Sequence, residues 1–290
     1  MNFDLVFFGF GDITKNLIDS YILNQENICV ISNNPNLLKT NLKYSKTNQN
    51  LITLDWKTAI KSEISSNTTF VAWTDLKYFS NIDTLTWINS HKYKTKKIIH
   101  LSSASVYEPP KEKFKEIDFH IKIDNLVEFE KQRNFNSKQL LEVKLHWLSK
   151  IKQADLINLR ISNVYGKNLS KGFINESVSN ILSNRPVQLY SDINPIRDYL
   201  FVDDLTFAIV QLSRLNLNSS DINISTGVGL SSTEVVEALY SKSIIDFQTI
   251  ELKSPKNLQQ ISVLDCSKLE KLILWNPKQI EFVIPLLFTS

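Results

Sequence analysis

Short, mainly apolar runs alternate with segments of helical periodicity from the N-terminus onward, and few folds accept that pattern. Residues 5–8 (Leu-Val-Phe-Phe) form the first run, followed by Ile13, Leu17, Ile18, Tyr21 and Ile22 at helical spacing. Further runs lie at 28–31, 51–54, 69–73, 97–102 and 156–161. A polar stretch over residues 43–50 precedes the third. Runs without polar alternation are strands covered on both faces. Separated by helices, they predict an α/β chain with a doubly wound parallel sheet. The second half is more broken, with short strands expected at 187–190 and 199–202 and a helix from Asp203 to about Leu215. Ser231 to Glu234 reads as a capping box opening another helix. The polar segment 108–132 is the longest without clear structure, as loops over a site often are.

With only six glycines in the chain, each marks a place where the backbone needs one. Gly9 and Gly11 fall between the first strand and the first helix, in Gly-x-Gly-x-x-Thr. A dinucleotide-binding fold places its glycine turn there, so that a pyrophosphate reaches the free N–H groups of the helix start, here Asp12 and Ile13. The third glycine is replaced by Thr14; the alternative is a tight turn without a ligand. After the second strand stand Ser32, Asn33 and Asn34, with neither an acid to repel a 2′-phosphate nor an arginine to hold one. The cofactor is therefore NAD or NADP, leaning toward NADP, with Lys39 as a helper.

Composition narrows the classes of partner. A net charge of +3, scattered along the chain, argues against nucleic acid. No apolar run approaches the ~18 residues of a membrane span. The start, with Asp4, does not read as a secretory signal, so cytoplasmic residence is expected. Two cysteines, Cys29 and Cys266, in apolar or helical settings predict neither a disulfide framework nor a zinc site, and no metal is expected. His91, His100, His120 and His146 are isolated and read as structural.

Five motifs then follow in order: Ser102-Ser103-Ala104-Ser105-Val106-Tyr107; Leu159-Arg160-Ile161-Ser162-Asn163-Val164-Tyr165-Gly166; Arg197-Asp198-Tyr199-Leu200-Phe201-Val202-Asp203-Asp204; Asn223-Ile224-Ser225-Thr226-Gly227; and Asp265-Cys266-Ser267-Lys268 with Leu274-Trp275-Asn276-Pro277. Together they resemble the extended short-chain dehydrogenases/reductases, the NAD-dependent epimerase/dehydratase family acting on nucleotide sugars. The resemblance implies a Rossmann-like domain over residues 1–166. Residues 167–290 would form mostly a smaller substrate-binding lobe, with about 198–226 returning to the first domain. It assigns Ser103 the hydrogen bond to the reacting sugar oxygen, Asn163 and Arg197 the substrate's diphosphate, and Asp55 an adenine-side contact. Two plainer readings stay open: a turn hydroxyl for Ser103, and a salt bridge to Asp198 or Asp203 for Arg197.

In this family the acid/base is the tyrosine of Tyr-x-x-x-Lys, whose lysine lowers the phenol's pKa and bonds the nicotinamide ribose. The corresponding segment is Asn134-Phe135-Asn136-Ser137-Lys138. Lys138 is kept; the tyrosine position is Asn134, an amide that cannot act as an acid or base near neutral pH. Tyr93 and Lys97 have the same spacing but precede the fifth apolar run, so that match reads as chance. Tyr107, Tyr165 or a carboxylate of the 108–130 loop are the candidate substitutes. The expected function is a nucleotide-sugar epimerase, dehydratase or reductase using NAD(P) with altered acid/base machinery. The alternative is a non-catalytic family member that binds nucleotide sugar or dinucleotide as a regulatory or partner subunit. A homodimer through the Lys138 helix is expected by analogy.

Overall fold

The structure is a computed structural model that describes residues 1–32, 50–72, 90–108, 111–119, 136–167, 169–254 and 260–288. The chain forms two compact units, and it enters and leaves each more than once. One comprises Met1–Val106, Phe119–Arg160 and Ile209–Ile222; the other comprises Tyr107–Asp118, Ile161–Ala208 and Asn223–Ser290.

The first unit is built on a seven-stranded sheet. Its strands are β1 (Asn2–Phe8), β2 (Ile28–Ile31), β3 (Leu51–Leu54), β4 (Ile64–Val71), β5 (Tyr93–Ser103), β6 (Asp155–Ile161) and β10 (Ser220–Ile224). Their order is β10-β6-β5-β4-β1-β2-β3, and β1 runs parallel to both β2 and β4. The order reverses direction between β1 and β4, the crevice where doubly wound sheets bind ligands. Alternation along β1 explains the two layers. Phe7 stacks on Phe70 and meets Tyr21 of helix α1 (Asp12–Leu23). Phe8 turns to the opposite side, where Tyr93 and Trp56 surround it. Leu141, Leu145 and Leu148 join that second core from a later helix, Ser137–Lys152. A short helix, α2 (Trp56–Ala59), follows β3. The Ser137–Lys152 helix is α3.

Strands β4 and β5 begin earlier than their apolar runs. Residues 64–68 and 93–96 look polar because Ser66, Thr69, Tyr93 and Thr95 form a buried hydroxyl cluster, with Thr69 Oγ1 donating to Thr95 Oγ1 at 2.9 Å. Tyr93 and Lys97 thus lie within β5 rather than before it. The Tyr93 phenol belongs to that cluster, and Lys97 Nζ donates to the carbonyls of Ser213 and Leu215 (3.1 and 2.7 Å). Both side chains are occupied structurally, in accord with chance spacing.

The second unit holds β7 (Asn163–Tyr165), β8 (Val187–Tyr190), β9 (Ile196–Phe201), β11 (Gly229–Ser231), β12 (Thr249–Leu252) and β13 (Ile261–Ser262). Strand β9 is flanked by β11 and β13 and also pairs β7, while β8 and β12 form a separate pair. Its core is Tyr165, Ile174, Ile181, Phe201, Val235, Leu239 and Ile284, contributed largely by helices α4 (Phe173–Leu182), α6 (Ser232–Lys242) and α8 (Ile280–Leu287). Between these come α5 (Val202–Arg214) and α7 (Ser267–Leu272). The Ser231–Glu234 capping box is formed, as its spacing predicts. Both cysteines are free and buried, and burial pushes their thiols up to about 12 (Cys29) and about 11 (Cys266). Among the described residues no helix is long and apolar enough to cross a membrane, and no cluster of His, Cys, Asp or Glu could hold a metal ion.

Candidate active site

In the first unit, Gly9, Gly11, Asp12, Ile13, Ser32, Asp55 and Ser103 all sit at or just beyond the carboxyl ends of β1, β2, β3 and β5. Gly9 is buried with φ 91°, a left-handed backbone that a side chain would strain, and its N–H donates to the Ile31 carbonyl at 3.0 Å. Gly11 is the N-cap of α1, in extended conformation that any residue adopts. Among the described residues a Cβ placed there would meet nothing within 4 Å. The packing of those residues therefore does not require glycine at 11. A pyrophosphate fits such a cradle, because the first N–H groups of a helix lack intrahelical partners and the dipole favours an anion. Thr14, at the third glycine position, is 2% exposed, so its side chain is accommodated in the interior. Asp12 is exposed and Ile13 half-buried in the first turn. The Ser32 N–H donates to the Leu54 carbonyl at 3.1 Å. Asp55 caps α2, accepting the Thr58 N–H at 2.7 Å, and that bond holds its carboxyl below the usual range. Asn33, Lys39, His120 and Asn134 lie outside the described residues.

Ser103 closes β5 and leads into a 3-10 turn, Ala104–Val106. Its Oγ accepts from the Ser105 N–H (3.3 Å) and the Ser105 hydroxyl (3.1 Å). The turn role is therefore real, but it uses lone pairs and leaves the Ser103 proton to be donated elsewhere. Lys138 lies in the first turn of α3, which is joined to the Ser103 turn by two bonds. Asn136 Nδ2 donates to the Ser105 carbonyl and Gln139 Nε2 to the Val106 carbonyl, both at 2.8 Å. These tethers bring the elements bearing Ser103 and Lys138 together. Sequence reading passed over them, since a polar residue in a helical turn carries no mark of its partner.

The candidate tyrosines are poorly suited to proton transfer. Tyr107 is buried, stacks on Phe114 and donates its phenol to Asn223 Oδ1 at 2.5 Å. Tyr165 is 1% exposed, and burial, with the charges of Asp204 and Glu281, pushes its phenol well up. From the polar loop, Glu116 accepts the Asn223 N–H at 3.0 Å.

The second unit contains a pocket of about 310 Å³ whose lining includes Asn163, Phe173, Ser177, Tyr190 and Arg197. The two predicted substrate residues thus line one cavity. Asn163 Nδ2 donates to the Asp198 carbonyl at 3.1 Å. Arg197 is oriented by its Nη1, which donates to the carbonyls of Ile196 (2.8 Å) and Gln260 (3.1 Å). The Asp198 carboxylate, fully buried, accepts from the Thr226 N–H, the Thr226 hydroxyl and the Gly227 N–H at 2.8–2.9 Å, which fixes the turn of the fourth motif. Phe173, Ser177 and Tyr190 were not singled out from sequence; no local pattern distinguishes them from core or surface positions.

The chain is 28% identical over 120 residues to the dTDP-4-dehydro-6-deoxyglucose reductase of Escherichia coli. That match spans 39% of this chain and 38% of the reductase, so the chain covers well under half of that relative. In fold it is similar to the Bacillus cereus UDP-glucuronic acid 4-epimerase solved with UDP-glucuronic acid and NAD (TM-score 0.78, 18% identity, 99% of this chain and 98% of that one). It is also similar to the Thermotoga maritima UDP-glucose 4-epimerase solved with UDP-glucose (TM-score 0.75, 19% identity, 99% and 97%). Residues 71–225, more than half of the chain, match the NAD dependent epimerase/dehydratase family, and the chain belongs to that family.

Proposed function

We propose that the protein is an NAD(P)-dependent epimerase, dehydratase or reductase of nucleotide sugars. The observation that carries this reading is the pocket that Asn163 and Arg197 both line: a planar, permanently charged fork and an amide in one cavity suit a diphosphate. The glycine turn supports the cofactor half, since the space before Gly11 is open where a pyrophosphate would lie. When bound, a nicotinamide dinucleotide supplies hydride transfer to or from a sugar carbon. In this reading the helix start at Asp12 and Ile13 holds the pyrophosphate, and Ser32 and Asn33 face the adenosine ribose. Asp55 turns its second oxygen to the adenine, and Lys138 bonds the nicotinamide ribose. Ser103 donates its free proton to the reacting sugar oxygen. Asn134 cannot take up the proton that accompanies hydride transfer, so another group carries it, and the reaction is slow beside one with a phenol at that position. Cytoplasmic residence and a homodimer belong to the same reading. The dimer is supported by a stripe of Leu140, Trp147 and Ile151 along α3, with Ile151 55% exposed.

The test is single-turnover reduction of bound dinucleotide across a panel of UDP- and dTDP-sugars, with the unmutated, Ser103→Ala and Asn134→Tyr proteins. Slow reduction by the unmutated protein, further slowed in Ser103→Ala and accelerated in Asn134→Tyr by up to ~10²–10⁴-fold, is expected. Binding of both ligands without reduction by any of the three would sink the catalytic reading.

A further inference from the structure

Helix α3 grips the end of β5 at a third point, deeper than Asn136 and Gln139. The Glu142 carboxylate accepts the Ser102 hydroxyl at 2.5 Å. The three gripping residues recur every third position along the start of α3, and the segment they hold, 102–106, contains Ser103. Lys138 sits between the first and second of them, one helical turn before Glu142. Glu142 is itself held from behind. Arg160 of β6, completely buried, reaches Glu142 Oε2 through Nη2 at 2.8 Å and Oε1 through Nε at 3.2 Å. The same guanidinium reaches Asp221 of β10 at 2.9 Å and lies over the Phe119 ring at 5.1 Å. Asn158 continues the chain, donating to Asp221 at 2.8 Å and meeting His100 Nδ1 of β5 at 3.1 Å.

A buried ion pair is a costly way to hold a helix on a sheet, since apolar side chains of equal volume commonly stabilise as well or better. What the ion pair adds is direction. An apolar contact tolerates a slide along the helix; a carboxylate fixed by two guanidinium nitrogens and aimed at one hydroxyl does not. Burial raises the Glu142 pKa, while the charge and hydrogen bonds of Arg160 and the Ser102 hydroxyl act in the opposite direction.

We propose that Glu142 is a positioning residue: anchored by Arg160 and bonded to Ser102, it sets the register between the helix carrying Lys138 and the strand end carrying Ser103. This rests on the proposed dinucleotide site, because the register matters only if Lys138 meets the nicotinamide ribose. The pair of ligands for the test is NADH, which reaches Lys138, and ADP, which occupies the glycine turn and stops short of it. Both affinities are measured by titration calorimetry on the unmutated protein, Ser102→Ala and Glu142→Gln.

NADH affinity is expected to fall about tenfold in each variant, as for a misplaced binding group, while ADP affinity stays within twofold. Ser102→Ala leaves the Arg160–Glu142 pair intact and decides the matter if Glu142→Gln does not fold. Unchanged NADH affinity in Ser102→Ala, or equal loss of both ligands, overturns the positioning role while leaving the dinucleotide site standing. Failure of the unmutated protein to bind either ligand removes the site and the positioning role together.

Discussion

The two units make their candidate sites by different means. In the first, the groups proposed for the pyrophosphate are backbone: a glycine turn and the start of α1 at the end of β1. In the second they are side chains, Asn163 and Arg197, lining a pocket. Gly11 and Gly166 show the contrast in single residues. A Cβ at Gly11 meets open space, whereas one at Gly166 would lie 2.5 Å from Val202 Cγ1 and 3.2 Å from Phe201, on a backbone at φ 151°. Among the described residues, packing demands the glycine at 166 and leaves the one at 11 unconstrained. A site made of backbone survives drift in its neighbours; a site made of side chains is lost one residue at a time.

That contrast can be broken at several places. Gly166→Ala should cost about 2–6 kcal/mol, the overpacking and the left-handed strain each contributing ~1–3 kcal/mol, and should lower the Tm sharply in a thermal melt. Gly11→Val, at the N-cap of α1, should lower the melt far less than Gly166→Ala but fill the cradle and weaken NAD binding by at least ~2.7 kcal/mol, about a hundredfold. If the melts of the two variants shifted equally, the distinction between the glycines would fall. Arg197→Ala should weaken nucleotide-sugar binding by ~1.5–3 kcal/mol, the value of a charge-assisted bond, with dinucleotide affinity unchanged. Equal weakening of both ligands would mark the arginine as structural.

The smallest effect concerns acid. Asp55 in the first unit is held below the usual carboxylate range by the Thr58 N–H, and Asp265 in the second by Ser267. A depressed folded pKa contributes stability that is present above the unfolded value of ~3.9 and is lost as pH falls through the folded one. Stability should therefore decline below about pH 4, and Asp55→Asn should flatten that limb slightly. An identical acid limb in Asp55→Asn would show that its cap bond contributes nothing.

The sheet was legible because strands buried on both faces are written mainly in apolar letters, without interruption at 28–31 and with only Asn158 and Arg160 intervening at 156–161. Strand beginnings were hidden where burial is satisfied by hydroxyls, as in the Ser66–Thr69–Tyr93–Thr95 cluster. Gly9 and Gly11 at the end of β1, and Asn163 and Arg197 in one pocket, stand where motif order and strand position put them. Glu142, Gln139 and Asn136 could not be found that way, because what matters about them is a partner more than thirty residues away. The same is true of Tyr107, whose phenol was open to a catalytic reading until Asn223 was seen to hold it.

The most direct measurement of the account is amide hydrogen exchange on the intact chain with NADH and, separately, with UDP-glucose or UDP-glucuronic acid. NADH should slow exchange at the start of α1, residues 12–15, and leave 163–165 and 173–180 unaltered. The UDP-sugar should protect 163–165 and 173–180 and leave the α1 start unaltered. One shared footprint for both ligands, or protection in the reverse assignment, would contradict the division of the site between a backbone-built cradle and a side-chain-built pocket.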